Sequence, residues 1–141
     1  MAKTETTVPE AQPRAAVPTI TAMAVMAPLL TWFIPGAGHL IQKKWIRGAL
    51  LLISVAAMFC LGLAMNGKVY KPNTGDLLDM LGFVGDLGAG GLYLMARVSE
   101  WGAAAIYAAS GDYGTKFIVV SGLLNVISMV DAYHIAIGRK Q

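Results

Sequence analysis

The chain holds a single cysteine, Cys60, which stands in an apolar run without a partner; an intramolecular disulfide and a cysteine-based metal cluster are both excluded. Charge is scarce as well. Asp, Glu, Lys and Arg make up 13% of 141 residues, against 56% hydrophobic residues and 16 glycines. A water-soluble fold of this composition would lack the polar side chains to cover its own surface. The eleven Lys and Arg give a net charge of +3, yet they are scattered through short hydrophilic segments and form no basic face with interleaved aromatics, so nucleic acid is excluded as a partner. Neither a GxxxxGK[ST] loop nor a GxGxxG after a strand is present. No nucleophile, base and orienting group can be assembled from local spacing, and Ser54, Ser121 and Ser128 can each satisfy a hydroxyl on their own helix backbone. We expect no enzyme.

Long apolar runs are what the sequence has in abundance, with a mean hydropathy of +0.59. The expectation is an all-α, integral membrane helical bundle of about 3–5 membrane segments. Residues 1–19 contain Pro9, Pro13 and Pro18 with mixed charge and read as a disordered tail; residues 20–141 form one membrane domain. Glu5 and Glu10, and the lack of a small-x-small cleavage site, separate the tail from a signal peptide, so the first apolar segment should stay in the mature protein.

That segment, 20–41, is long enough to cross a bilayer but is broken by Pro28 and by Pro35-Gly36-Ala37-Gly38. It reads either as a full crossing or as a re-entrant hairpin. Residues 46–65 form the clearest transmembrane helix, with no charge beyond Arg47. Residues 66–76 carry the turn chemistry of an aqueous loop, with Asp76 as N-cap of the next helix. The stretch 77–109 encloses Asp79, Asp86 and the glycines Gly82, Gly85, Gly88, Gly90 and Gly91, which weaken a free helix but suit close helix packing. We read it as a glycine-rich helical hairpin. Residues 110–116 read as a turn, and 117–137 as a last transmembrane helix with a basic stop.

Lys43, Lys44 and Arg47, with Arg139 and Lys140, should be cytoplasmic, which puts the C-terminus inside and the 66–76 loop outside. The side of the N-terminus stays open. Trp32, Trp45, Trp101, Tyr70, Tyr113 and Tyr133 fall near segment ends, as an interfacial belt requires.

The run Phe33-Ile34-Pro35-Gly36-Ala37-Gly38-His39-Leu40, followed by Lys43-Lys44-Trp45-Ile46-Arg47-Gly48 and an apolar helix, resembles the PGxGxxY…G segment of small bacterial multi-span proteins. It is similar to the TM-two domain family and to related uncharacterised bacterial families, over about 30 of 141 residues. It departs from the TM-two pattern in lacking the acidic-Arg-Phe signature and in having Leu40 and Ile41 where an aromatic is usual. The resemblance implies a small integral protein of the bacterial inner (cytoplasmic) membrane and carries over no catalytic residue.

The polar positions inside apolar segments are the candidate functional ones. Asp131 and His134 are three apart on one helix face, with Asn125 nearly two turns earlier. We read them at the cytoplasmic interface, with His134 at headgroups and Asp131 paired to Arg47, Lys43 or Lys44. The competing reading is a proton-linked pair, or a metal or tetrapyrrole site that His39 joins if the first and last segments converge. His39 itself is expected to serve the backbone groups freed by the proline-glycine break. Asp79 and Asp86, seven apart, are expected on the exposed side of an interfacial helix, or else along a polar path.

The leading functional expectation is a structural or accessory subunit that meets the lipid bilayer and other membrane subunits, or itself, through its small-residue faces. The alternative is an oligomeric channel or transporter component using the membrane carboxylates. The cofactor, if any, is unknown.

Overall fold

The structure is a computed structural model and describes residues 21–103 and 109–140. The tail read from residues 1–19 and residues 104–108 of the central segment lie outside them. The described residues are all-helical: α1 Ala22–Phe33, α2 Ala37–Ile41, α3 Trp45–Ala64, α4 Leu77–Leu87, α5 Gly91–Val98 and α6 Ala109–Ala136. Two helices are long and apolar enough to span a membrane, the 20-residue α3 and the 28-residue α6; α4 and α5 would make a third span only if counted together across their 114° bend. At 1.5 Å per residue α3 is about 30 Å long, the thickness of a hydrocarbon core.

The two long helices pack along buried stripes whose closest approach is at glycines. On α3 the buried residues are Val55, Phe59 and Gly62, and Gly48, which instead faces Leu40 and Gly36 O. On α6 the stripe runs Gly111, Gly114, Ile118, Ser121, Asn125, Ser128 and Ala132, in helical steps of three and four. Gly62 and Gly114 face each other, and a methyl group on either would lie 2.6 Å from the other's carbonyl oxygen. Backbones approach this closely only where side chains are absent. α6 therefore begins at Ala109, through residues 110–116 whose composition reads as a turn. Packing of Gly111, Gly114 and Thr115 holds this end helical, and the Thr115 hydroxyl donates to Gly111 O at 2.8 Å while accepting from Lys68 N–H at 2.8 Å.

The first apolar segment does not break at Pro28. α1 runs through it, because small Ala24 and Ala27 lie flat and buried, and α1 packs chiefly on α6. Gly38 is no break either; it lies buried inside α2, and its N–H donates to Thr31 Oγ1 at 3.0 Å. The break is confined to Ile34–Gly36, where Gly36 takes the left-handed φ of +78° that a side chain would strain. Beyond it α2 folds back along α1.

α4 and α5 form a second hairpin from the opposite end. Asp76 caps α4 by accepting Leu78 N–H at 2.8 Å. Both open ends of this hairpin are tied to the 66–73 loop: Asp79 meets Lys68, and Gly102 O accepts from Val69 N–H at 3.0 Å. The chain thus enters and leaves on one side. The two hairpin tips meet midway along the bundle: Trp32 Nε1–H donates to Leu87 O at 3.0 Å on the outside, and Gly90, at φ +58°, lies against the Trp32 carbonyl. Two successive units, each a broken half-length hairpin followed by a full-length helix, therefore enter the molecule from opposite ends.

Candidate functional site

The polar residues gather at three levels. At the end where α3 begins and α6 finishes, Asp131 is the centre. Its Oδ2 lies 3.0 Å from His39 Nε2 and 3.6 Å from Arg47 Nη1, and its Oδ1 accepts from Lys140 Nζ at 2.7 Å. His39 is fully buried, whereas Arg47 and Lys140 are about half exposed (46% and 56%). Beside it, Gln42 Nε2 donates to Ala132 O at 3.0 Å, tying the end of α2 to α6. Next to this cluster a groove of about 550 Å³ opens between α3 and α6, walled by Leu50, Leu51, Ile127 and Val130 and rimmed by Arg47, His134 and Lys140.

Midway along the bundle, fully buried Asn125 donates through Nδ2 to Gly88 O at 2.9 Å and to Trp32 O at 3.4 Å. One amide thus clamps the tips of both hairpins to α6. The space around it is filled: a methyl at Gly88 would lie 2.7 Å from Gly122 O.

At the far end, the 66–73 loop folds down over α4. Asp86 is fully buried and its Oδ2 accepts from Tyr70 N–H at 2.7 Å, while Oδ1 has no hydrogen-bond partner. Tyr93 O–H donates to Tyr70 O at 3.3 Å, and Val69 joins the apolar core with Phe59, Tyr93 and Ile118. Lys68 bridges to Asp79 at 3.3 Å and lies 4.7 Å from the centre of the Tyr70 ring. Burial raises the pKa of the Tyr70 phenol; Lys68 pulls it back, and Asp79, Asp86 and Asp112 add to the rise.

These placements correct several expectations. Asp86 does not mark the exposed side of an interfacial helix, because the loop that reads as aqueous covers it and supplies a backbone donor. Asp79 and Asp86 also share no polar path: one is an ion pair at the loop, the other is sealed beneath it. His39 serves a carboxylate on α6, since α2 turns its ring toward Asp131 instead of toward the backbone freed at Pro35. His134 lines the groove with its ring centre 5.9 Å from that of Tyr133, and among the described residues no three His, Cys, Asp or Glu side chains are grouped to hold a metal ion. The five central glycines all face this same chain: Gly82 meets Tyr70, Gly85 Val119, Gly88 Gly122, Gly90 Trp32 and Gly91 Phe33.

Sequence reasoning passed over Thr31 and Lys140. Thr31 donates to Ala27 O at 2.9 Å while accepting from Gly38, a relay visible only once α2 lies on α1. Lys140 reaches back nine positions to Asp131 because α6 ends in a turn at Gly138.

Residues 26–141 match a family described as a family of unknown function (DUF6677). No curated protein and no solved structure matches the chain.

Proposed function

The chain belongs to this family of unknown function, and from that premise we propose that it is a non-catalytic accessory subunit of a larger assembly in the bacterial cytoplasmic membrane, multi-pass, with its C-terminus inside. The observation that carries the reading is that buried polar side chains tie the hairpins and the 66–73 loop of this chain to one another. Asn125 holds the tips of both hairpins, Thr31 holds α2 and Asp86 holds the 66–73 loop, and the five central glycines pack against this same chain. Chemistry left over for other molecules lies on the outside, on the apolar faces that carry Leu50, Ile53 and Leu61 of α3 and Val120, Leu123 and Ile127 of α6.

A second reading, a transport component, draws support from the two opposed hairpins, since broken helices meeting at mid-depth are how many transporters build a binding site. Weighing against it, the hairpin tips meet in packed backbone, where a methyl at Gly88 would lie 2.7 Å from Gly122 O. The deciding experiment is purification of the tagged protein at native expression in mild detergent, with mass spectrometry of what elutes at fixed stoichiometry. A reproducible hetero-complex is the expected result. A homo-oligomer that passes ions in liposomes, with flux lost in Asp131→Asn, would overturn the accessory reading in favour of transport.

A further inference from the structure

We propose that the groove between α3 and α6, at the end carrying Lys43 and Arg139, binds one anionic phospholipid. This rests on the chain being a membrane protein and not on its being an accessory subunit. Two concavities lie side by side there: the 550 Å³ groove described above, and a second of about 530 Å³ lined by Lys43, Lys44, Trp45 and Ile46; Arg47 and Leu50 line both and stand between them. The wall toward the bundle middle is apolar and open to the outside, with Leu50, Ile127 and Val130 half to two-thirds exposed (61%, 63% and 50%). That is the shape and chemistry of an acyl-chain slot.

The rim supplies the headgroup site. Lys43, Lys44, Arg47, Arg139 and Lys140 crowd this end, and Asp131 is the one carboxylate among the described residues there. The opposite end, by contrast, sets Asp76, Asp79, buried Asp86, Glu100 and Asp112 against Lys68, Lys71, Arg97 and Lys116. A guanidinium has five N–H donors and an ammonium three, so Asp131, already sharing itself among His39, Arg47 and Lys140, leaves most of them unsatisfied. Both cations remain about half exposed and face the groove. Cationic donors above an apolar slot, on the side where positive residues place the anionic leaflet, select a lipid phosphate over a zwitterionic headgroup. Trp45, two-thirds exposed at the rim, stands at headgroup level. Asp131 orients Arg47 and Lys140, which makes it a positioning residue for the lipid.

The test uses the full chain, delipidated in neutral detergent and titrated with phosphatidylglycerol, phosphatidylcholine or inorganic phosphate while thermal unfolding and native mass spectra are followed. We expect phosphatidylglycerol to stabilise the protein and to remain bound one per chain, with phosphatidylcholine and phosphate doing neither. Replacing both rim cations (Arg47→Gln, Lys140→Gln) should weaken phosphatidylglycerol by about thirtyfold. Because that variant also removes two partners of Asp131, a second one, Ile127→Trp, fills the slot and leaves every charge in place; it too should lose the bound lipid. Equal binding of the two lipids, or undiminished binding by both variants, would overturn the proposal. Stabilisation by phosphate alone would reduce the site to an anion site and also overturn it. So would a protein partner that stays bound after delipidation and is lost in Ile127→Trp.

Discussion

Gly62→Ala on α3 sets two effects of opposite sign against each other. In an isolated helix the change is favourable by about 1 kcal/mol, because alanine loses less backbone freedom than glycine. In this bundle the new methyl would lie 2.6 Å from Gly114 O and 2.5 Å from Ile118 Cγ1, where ordinary contact begins at 3.4 Å. The Ile118 branch can rotate, but the carbonyl belongs to α6 and cannot move without the helix. α3 and α6 must therefore part at their closest crossing, loosening Phe59 and Ile118 in the shared core. Overpacking of this kind costs about 1–3 kcal/mol, enough to reverse the propensity gain. We expect a net destabilisation in reversible unfolding with sodium dodecyl sulfate in mixed micelles, followed by far-ultraviolet circular dichroism. Gly75→Ala is the control, since a methyl there meets only Asn73 Oδ1 at 3.4 Å. Gly114→Ala opens the same crossing, so the double variant should cost less than the sum of the two singles. A Gly62→Ala protein as stable as the Gly75→Ala control, or strict additivity with Gly114→Ala, would refute the close crossing.

Three further outcomes follow from the same geometry. Asp86→Asn keeps an acceptor for Tyr70 N–H and should unfold near wild type, whereas Asp86→Leu strands that donor and should cost about 1–3 kcal/mol in the same titration; equal stability of the two would sink the loop-seal account. Thr31→Ser preserves the relay from Gly38 N–H to Ala27 O and should be tolerated, while Thr31→Val should lose about 1–3 kcal/mol, and no difference between them would mean that α2 does not depend on the hydroxyl. In a Cys60→Ser background, single cysteines at Lys43 and Arg139 should be labelled from one side of the membrane by an impermeant maleimide, and those at Asn73 and Ser99 from the other; Asn73 and Ser99 on opposite sides would make α4–α5 a crossing instead of a hairpin.

Two helices long and apolar enough to span a membrane were legible in the sequence, one at 46–65 and the other from residue 117 on, because that property rests on composition and length. The proline-glycine break was legible too, at Pro35 and Gly36, which lie between α1 and α2, and the backbone turns left-handed at Gly36. Pro28 and Gly38 read as breakers because local propensity counts a proline or glycine against a helix wherever it stands. Packing overrode that prior at both, through α6 behind Ala24 and Ala27 and through Thr31 above Gly38.

Apart from Asp131 with Arg47, which the sequence reading paired, what lay beyond the sequence was partnership at long range. Asp86 pairs with a backbone N–H 16 positions earlier, His39 with a carboxylate 92 positions later, and Asn125 with carbonyls 37 and 93 positions away. No periodicity encodes such distances, since helical spacing relates only residues on one helix. The sequence by itself determined a positively biased, helical membrane chain with polar residues at specific depths, because hydropathy and charge are properties of single residues and runs. Only the tertiary structure decided that its two broken segments turn back from opposite ends and meet at Asn125, and that Arg47 and Lys140 rim an apolar groove with Lys43 and Lys44 in the hollow beside it, because both depend on which helices lie side by side.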